Sequence, residues 1–255
     1  MGVMYKFDRP LLEGRIIERP NRFLMRIKIK GKEYLAHCPT TGKIGSIKLD
    51  GRPVLVSRAL NENRKTPYTV EAISYDRPSA PEKHWIGVNQ AASNRYIGYF
   101  IAMGQMPDMI GRPVSLESEQ TYGRSRLDFK ADDVYIEVKT PVHVIEKHIP
   151  EYIQRDDHTK AWGGNRLIKH VQELSASMAN PTHRAIMLIC FQYIRDPDVT
   201  EHFDGGDQNQ VQYVDKDQII RAMDQANTSG VETWYAELEI NKFGVKLAKY
   251  GRHTY

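Results

Sequence analysis

The chain has 255 residues and an ordinary hydrophobic content of 40%, which suffices for one or two packed domains and excludes a wholly disordered protein. No apolar run reaches the roughly 18 residues of a membrane span, and the charged first residues differ from a signal peptide, so we expect a cytoplasmic protein without a membrane partner. The two cysteines, Cys38 and Cys190, exclude a disulfide framework, and the net charge of +4 permits a polyanionic partner without requiring one.

Residues 11–88 have the short, alternating pattern of a small β-barrel. Around the turn Lys30-Gly31-Lys32, every second residue is apolar, as in a strand with one buried face, and glycine in the turn suits a hairpin. The alternating residues before the turn are Phe23, Met25, Ile27 and Ile29. Further strands are predicted at 54–57, 69–75 and 85–88. Five or so short strands favour an OB-like barrel, although an SH3-like barrel would give nearly the same pattern.

After this region the pattern is that of a mixed α/β domain. Apolar residues at helical spacing predict a helix between Ala91 and Met103, ended by Pro107 and Gly111. Further helices are predicted at about 165–178 and 217–228, a buried central strand at 185–193, and a final strand at 233–240. Since helices and strands alternate, we predict an OB-like barrel at 1–88 followed by an α/β domain at 89–255.

The segment SRLDFKADDVYIEVKT, residues 125–140, is the most informative one. If Asp132 and Asp133 form a two-residue turn, Phe129 pairs with Ile136 and Leu127 with Val138, which gives one apolar face. On the other face Asp128 then lies opposite Glu137, with β-carbons roughly 4.5–5.5 Å apart.

Two facing carboxylates repel each other, and a divalent cation would relieve that repulsion. Mg²⁺ or Mn²⁺ would use a couple of carboxylate oxygens together with water and a substrate phosphate. Lys139 lies two residues after Glu137, on the same side of the strand, where it can orient a water and stabilise developing charge. The segment therefore predicts Asp128, Glu137 and Lys139 as catalytic residues, whereas a solvent-facing hairpin with ordinary charge alternation remains the alternative.

Several basic residues are candidates for contacts with nucleic-acid phosphates. In the helix at 165–178 the polar side could clamp a phosphate backbone, or the helix could simply be amphipathic and lie at the surface. Near the barrel, basic residues and Tyr34 and Tyr68 could form a groove for a single strand, whereas we expect Phe23 to fill the core. The candidate phosphate contacts are Arg22, Arg64, Lys65, Arg126, Arg166, Lys169 and His170.

The sequence resembles the sugar fermentation stimulation protein (SfsA) family over nearly its whole length. Each matching stretch is short, but together, in this order, they are specific. The stretches are NRF at 21–23, HCPTTG at 37–42, RKTPYT at 64–69, VNQAASNR at 88–95, YGRSRLDF at 122–129, YIEVKT at 135–140 and RLIKHVQEL at 166–174. The chain departs from the family pattern after the YIEVKT strand, where a longer polar insert spans residues 143–162.

The resemblance implies an OB-like domain followed by a restriction-endonuclease-like PD-(D/E)XK domain, in a protein that binds DNA without strong sequence preference. It adds Glu119 to Asp128 and Glu137 as a third acidic position of a metal site. We therefore predict a DNA-binding protein with a nuclease-like site. This site would act as a metal-dependent phosphodiesterase on DNA, or alternatively on RNA. A non-catalytic regulatory protein linked to sugar (maltose) metabolism, and carboxylates that serve folding alone, are the alternatives. The oligomeric state is not predicted.

Overall fold

The computed structural model consists of a closed β-barrel followed by a mixed sheet with helices, which confirms the predicted fold class. The structure describes residues 2–40, 42–61, 64–122, 125–142, 145–156, 171–176, 183–199, 221 and 224–253. No helix in these ranges is both long and apolar enough to cross a membrane.

The barrel forms from a sheet with the strand order β4-β3-β2-β5-β6-β7, and an additional parallel pairing of β4 with β6 closes it. The predicted hairpin is present, because Lys30 (φ 47°) and Gly31 (φ 82°) form its turn and Met25, Ile27 and Ile29 are buried. The strands are β2 (Leu12–Asn21), β3 (Leu24–Ile29), β4 (Lys32–His37), β5 (Pro53–Arg58), β6 (Tyr68–Ile73) and β7 (Ile86–Gly87).

The second sheet has seven strands in the order β1-β13-β12-β11-β10-β9-β8. Its centre is parallel, because β11 pairs in parallel with β10 on one side and with β12 on the other. The strands are β1 (Met4–Lys6), β8 (Leu116–Tyr122), β9 (Ser125–Ala131), β10 (Val134–Lys139), β11 (Arg184–Phe191), β12 (Glu232–Ile240) and β13 (Gly244–Arg252). The predicted buried central strand is β11, whose apolar side chains are almost all buried.

Both ends of the chain differ from the prediction. Strand β1 pairs with β13, so the first residues belong to the second sheet and not to the barrel to which we assigned residues 1–88. Strand β12 was predicted as the last one, yet β13 follows it as the second arm of an antiparallel hairpin.

The predicted first helix is present as α1 (Ser93–Ala102), after a 3-10 turn at Gln90–Ala92, and a short helix α2 (Pro107–Ile110) follows it. The buried face of α1, including Tyr96 and Phe100, packs against one face of the second sheet. Of the two other predicted helices, residues 171–176 and 224–228 are described and are helical.

The insert after β10 was predicted to be polar, but part of it completes the barrel core. Residues 145–156, which we call the strap, bury Ile145, Ile149 and Ile153 in the same apolar cluster as the barrel strands. The backbone of the strap follows the barrel segment 45–48, with Lys48 N–H donating to the carbonyl of Gln154 at 2.9 Å. Isoleucines at intervals of four residues therefore have a packing role that the polar composition concealed.

Candidate metal and nucleic-acid site

The β9–β10 hairpin has the turn that its sequence predicts. Asp132 occupies the left-handed region (φ 50°), and Tyr135 pairs with Lys130 and Ile136 with Phe129, as expected for a two-residue turn. The Asp132 carboxylate also accepts hydrogen bonds from the backbone N–H groups of Val114 and Ser115 at 3.1 and 2.9 Å. These bonds hold the pKa of Asp132 below its usual value, and they tie the turn to the start of β8.

The hairpin becomes irregular at Asp128. Its Oδ2 accepts the backbone N–H of Val138 at 2.7 Å, and its Oδ1 accepts the side-chain N–H of Asn94, on α1, at 2.5 Å. The Asp128 side chain therefore accepts the hydrogen bond from the Val138 N–H that a backbone carbonyl would accept in a regular ladder. As a result Leu127 and Phe129 belong to different core clusters, and the prediction that they share one apolar face is wrong.

Glu137 and Lys139 form an ion pair beside Asp128. Lys139 Nζ contacts Glu137 Oε1; Glu137 is only 1% exposed, and the Lys139 side chain is 16% exposed. Burial raises the pKa of Asp128, and the nearby charge of Glu137 raises it further, while the Val138 N–H, Asn94 and Lys139 oppose the shift. The three predicted catalytic residues are thus close in space, with Glu137 innermost.

Glu119 does not join these residues. It lies at the level of Asp128 in the β8–β9 ladder, but its backbone has φ 57°, and its exposed side chain pairs with Arg126. The predicted phosphate contact Arg126 is therefore engaged with the predicted third metal ligand. Within the described ranges, no three His, Cys, Asp or Glu side chains are arranged to hold a metal ion.

The two remaining carboxylates fit a metal of the magnesium type in one respect. Such a metal is usually bound by one or two carboxylates, with water and substrate phosphate filling its other positions. Burial and the charge of Glu137 raise the pKa of Asp128, and a divalent cation bound between the two carboxylates would offset their repulsion.

A layer of neutral polar side chains surrounds the start of α1, and sequence reasoning did not assign roles to it. Gln192 donates to the carbonyl of Asn89 at 2.7 Å and to the hydroxyl of Ser93 at 2.8 Å. The Thr140 hydroxyl, next to Lys139, donates to Ser93 at 2.6 Å. Asn94 and Ser93 belong to the VNQAASNR stretch, so the available signal was this motif, whereas Gln192 stands in an apolar strand-like run without any signal.

One corner of the barrel exposes an aromatic and basic surface. Phe23 is 44% exposed, and the Arg22 guanidinium lies 4.6 Å from the centre of its ring. The expectation that Phe23 fills the core is therefore wrong, because it belongs to the turn between β2 and β3 and precedes the buried alternation. Arg64 and Lys65 are exposed in the loop between β5 and β6. In OB folds, these two loops flank the face that binds oligonucleotides.

The other aromatic candidates are partly buried. Tyr34 and Tyr68 form an edge-to-face pair with ring centres 5.0 Å apart and pack against the barrel core. Cys38 is buried, and burial raises the pKa of its thiol.

The remaining predicted contacts, Arg166, Lys169 and His170, lie outside the described residues. The adjoining residues Val171 and Leu174 are buried with Leu127 and Tyr135 on one face of the second sheet, which agrees with the apolar stripe predicted for their helix.

Comparisons with known proteins agree with this architecture. The family model of the SfsA N-terminal OB domain matches residues 17–88. A sugar fermentation stimulation protein homolog of Synechocystis sp. is 32% identical over 256 residues, which cover 97% of each chain. The homolog of Thermosynechococcus vestitus is 31% identical over 251 residues, covering 93% of this chain and 92% of the relative.

One solved structure resembles the entire fold. It is described as Pyrococcus furiosus SfsA in complex with Ca2+, and it superposes with a TM-score of 0.69 at 20% identity, covering 99% of this chain and 97% of that chain. At this identity the likeness supports the fold alone.

Proposed function

Because the chain belongs to the sugar fermentation stimulation protein family, we propose that it binds DNA and hydrolyses phosphodiester bonds with the help of Mg²⁺ or Mn²⁺. The proposal depends on one observation, the convergence of the Asp128 carboxylate with the buried Glu137–Lys139 pair. Two acids and an amine on adjacent strands form the minimal set for metal-assisted hydrolysis of a phosphodiester.

In this proposal Asp128 and Glu137 hold the metal ion. When bound, the ion would polarise a phosphate oxygen and lower the pKa of a coordinated water. Asn94 and the Val138 N–H fix both oxygens of Asp128, so the carboxylate is oriented before any ligand arrives. Lys139 orients the attacking water and stabilises the negative charge that develops on the phosphate.

The relative from Pyrococcus furiosus was determined in complex with Ca2+, which is in keeping with a divalent-metal site in this fold. Ca²⁺ and Mg²⁺ both prefer oxygen ligands. We therefore include a divalent cation in the proposal for this chain, with Asp128 and Glu137 as its protein ligands.

The barrel would supply the binding surface for DNA, or alternatively RNA. Phe23 offers an aromatic face for a base, and Arg22, Arg64 and Lys65 offer charge to the backbone phosphates. Base stacking and phosphate contacts are both tolerant of sequence, so this surface would bind with little sequence preference.

A second candidate function is DNA binding without turnover, as in a regulatory protein. The burial of Glu137 favours it, because a carboxylate that is 1% exposed and already paired with Lys139 has limited access to a metal ion. The position of Glu119 also favours it, since this acid faces solvent and pairs with Arg126.

A cleavage assay separates the two functions. Purified protein is incubated with single-stranded and double-stranded DNA, and with RNA, in Mg²⁺, Mn²⁺ or a chelator. We expect metal-dependent cleavage that falls at least about 100-fold in Asp128→Asn and in Lys139→Ala, as for the loss of a group that stabilises charge in the transition state. Asp133→Asn is the matched control, because this exposed acid lies in the turn of the same hairpin.

Each outcome has a clear meaning. Binding without any cleavage by the wild-type protein would reject the phosphodiesterase and favour the regulatory function. Cleavage that persists in both variants would reject the assigned residues and indicate a contaminating nuclease.

A further inference from the structure

Three arginines cluster on the barrel, away from the site described above. Arg15 on β2, Arg52 just before β5 and Arg77 after β6 form this group, which we call the arginine patch. Tyr152 of the strap lies among them, with the Arg77 guanidinium 4.1 Å and the Arg52 guanidinium 5.6 Å from its ring centre. Tyr152 is 39% exposed, so the patch lies at the surface.

Backbone carbonyls hold Arg15, Arg52 and Tyr152 in place. Arg15 Nε donates to the carbonyl of Gly51 at 2.9 Å, and Arg52 donates to the carbonyl of Tyr75 at 3.3 Å. The Tyr152 hydroxyl donates to the same Tyr75 carbonyl at 2.8 Å. The bonds of Arg15 and Arg52 each use a single N–H of a guanidinium group that carries five.

The positive charges of the patch are not compensated within the described part of the chain, where none of its arginines forms an ion pair with a carboxylate. Asp76, the neighbour of Arg77 in sequence, accepts the backbone N–H of His84 at 2.6 Å instead. Burial lowers the pKa of Arg52; Tyr152 opposes this shift, while the nearby charges of Arg15 and Arg77 add to it. Like charges grouped at one surface create a local field that attracts an anion.

The patch lies at the opposite end of the barrel from the β2–β3 turn and the β5–β6 loop, the two loops proposed above to bind nucleic acid. Strand β5 runs from Arg52 towards the loop that carries Arg64 and Lys65, and β6 returns from that loop towards Arg77. Six residues of strand span about 20 Å, at roughly 3.3 Å per residue. A nucleic-acid strand must therefore reach over about 20 Å from the loops to contact the patch, which a long strand does more completely than a short one.

We propose that the arginine patch with Tyr152 is a second contact site for nucleic acid, which binds backbone phosphates without recognising bases. This inference rests on the proposed DNA-binding function and extends it to a distant surface. Guanidinium groups match phosphate in geometry and charge. Arg77 stacked on Tyr152 keeps the patch together, and the strap that carries Tyr152 connects this contact to the strand that bears Glu137 and Lys139.

Fluorescence anisotropy across a salt series tests the proposal, using labelled single strands of about 6 nucleotides, within the size that one OB fold covers, and of about 30 nucleotides. No divalent metal is added, so that cleavage cannot interfere. Log affinity falls with log salt by about 0.7 per phosphate contact on a single strand. We expect Arg15→Gln/Arg77→Gln to reduce this slope by about 1.4 for the long strand and by less for the short strand, which fills the loops and the patch less completely.

Two controls separate charge from folding. Lys246→Gln/Arg252→Gln removes the same charge from β13, where both side chains are exposed, and should leave the slope unchanged. Arg77→Lys loses the planar stacking on Tyr152. Because it keeps the charge, it should retain the slope. If Arg77→Lys lowers the slope as much as Arg77→Gln does, the patch only anchors the strap and the proposal is overturned.

The remaining results are equally decisive. An unchanged slope for the long strand in Arg15→Gln/Arg77→Gln overturns the patch while leaving DNA binding by the barrel intact. Failure of the wild-type protein to bind either strand at low salt overturns the proposed function and this inference together.

Discussion

The barrel and the second sheet are assembled in different ways. Both contain hairpins of consecutive strands, such as β2–β3 and β5–β6 in the barrel and β8–β9 and β12–β13 in the second sheet. In the second sheet, β1 at one end of the chain pairs with β13 at the other, and β10 pairs in parallel with β11 across more than forty residues (residues 139 to 184). The barrel strands thus come from one continuous stretch of the chain, with the strap completing their core, whereas the second sheet joins strands from both ends of the chain.

In the proposed function, this difference also separates the surface that would bind nucleic acid from the residues that would carry out the reaction. The barrel exposes Phe23 and its basic neighbours at loops, where side chains can change without disturbing the strands. The second sheet holds Asp128 and Glu137 by hydrogen bonds to a helix, a backbone N–H and a lysine. Such positions are oriented more firmly, as a reaction requires.

The largest expected effect concerns the strap, which belongs to the second part of the chain but fills the barrel core. Ile149→Ala should lower the free energy of unfolding by about 2–5 kcal/mol, because a buried side chain leaves a cavity. Urea unfolding followed by circular dichroism and tryptophan fluorescence measures the change. Because the strap links the two regions, we expect both signals to shift together.

Glu151→Ala is the matched control for the strap, since Glu151 is exposed two residues away, and it should change stability little. Separate transitions of the two signals in Ile149→Ala would contradict the view that the barrel depends on the strap.

A second prediction concerns the seam where β7 meets the sheet. A β-carbon added at Gly87 would lie 2.5 Å from side-chain atoms of both Gln192 and Ile240, so Gly87→Ala should destabilise the protein by about 1–3 kcal/mol through overpacking. Gly42→Ala is its control, because no atom lies within 4 Å of an added β-carbon there. Equal melting temperatures of the two variants would show that the seam is loosely packed.

A third prediction concerns binding alone. Phe23→Ala should weaken binding of a single strand by about 1–3 kcal/mol, the usual contribution of one stacked base, without lowering the melting temperature. Phe243→Ala removes an even more exposed ring from the turn between β12 and β13 and should leave affinity unchanged. A large loss of stability in Phe23→Ala would instead indicate that Phe23 packs in the barrel core.

The elements that the sequence predicts well are those whose signal is local. The β3–β4 hairpin follows from alternation around a glycine turn, α1 from helical spacing, and β11 from an unbroken apolar run. Strand β1 was not predicted because three residues are too few to show a hydrophobic periodicity. Its partner β13 also lies at the far end of the chain.

The candidate site was predicted in part for the same reason. Alternation and turn chemistry placed Asp128 near Glu137 and Lys139, but they presume a regular ladder. The bond from the Val138 N–H to Asp128 and the left-handed backbone of Glu119 break that regularity. Asn94 was missed because an amide on a helix has the same pattern whether it faces solvent or a carboxylate.

The smallest expected effect is the pH dependence of the hairpin turn that presents Asp128 and Glu137. Hydrogen bonds from the backbone of Ser115 and Val114 lower the pKa of Asp132 below its ordinary value of 3.8, so the folded state favours the ionised carboxylate. The resulting stabilisation is complete above that ordinary value and is lost as the pH falls through the lowered pKa of the folded protein. Asp132→Asn tolerates the same left-handed backbone but lacks this contribution. Melting temperatures of the wild type and of Asp132→Asn are measured between neutral pH and about pH 2. We expect the wild type to be slightly more stable at neutral pH and the difference to shrink as the pH falls. A difference that is constant with pH would mean that the charge of Asp132 does not stabilise the turn.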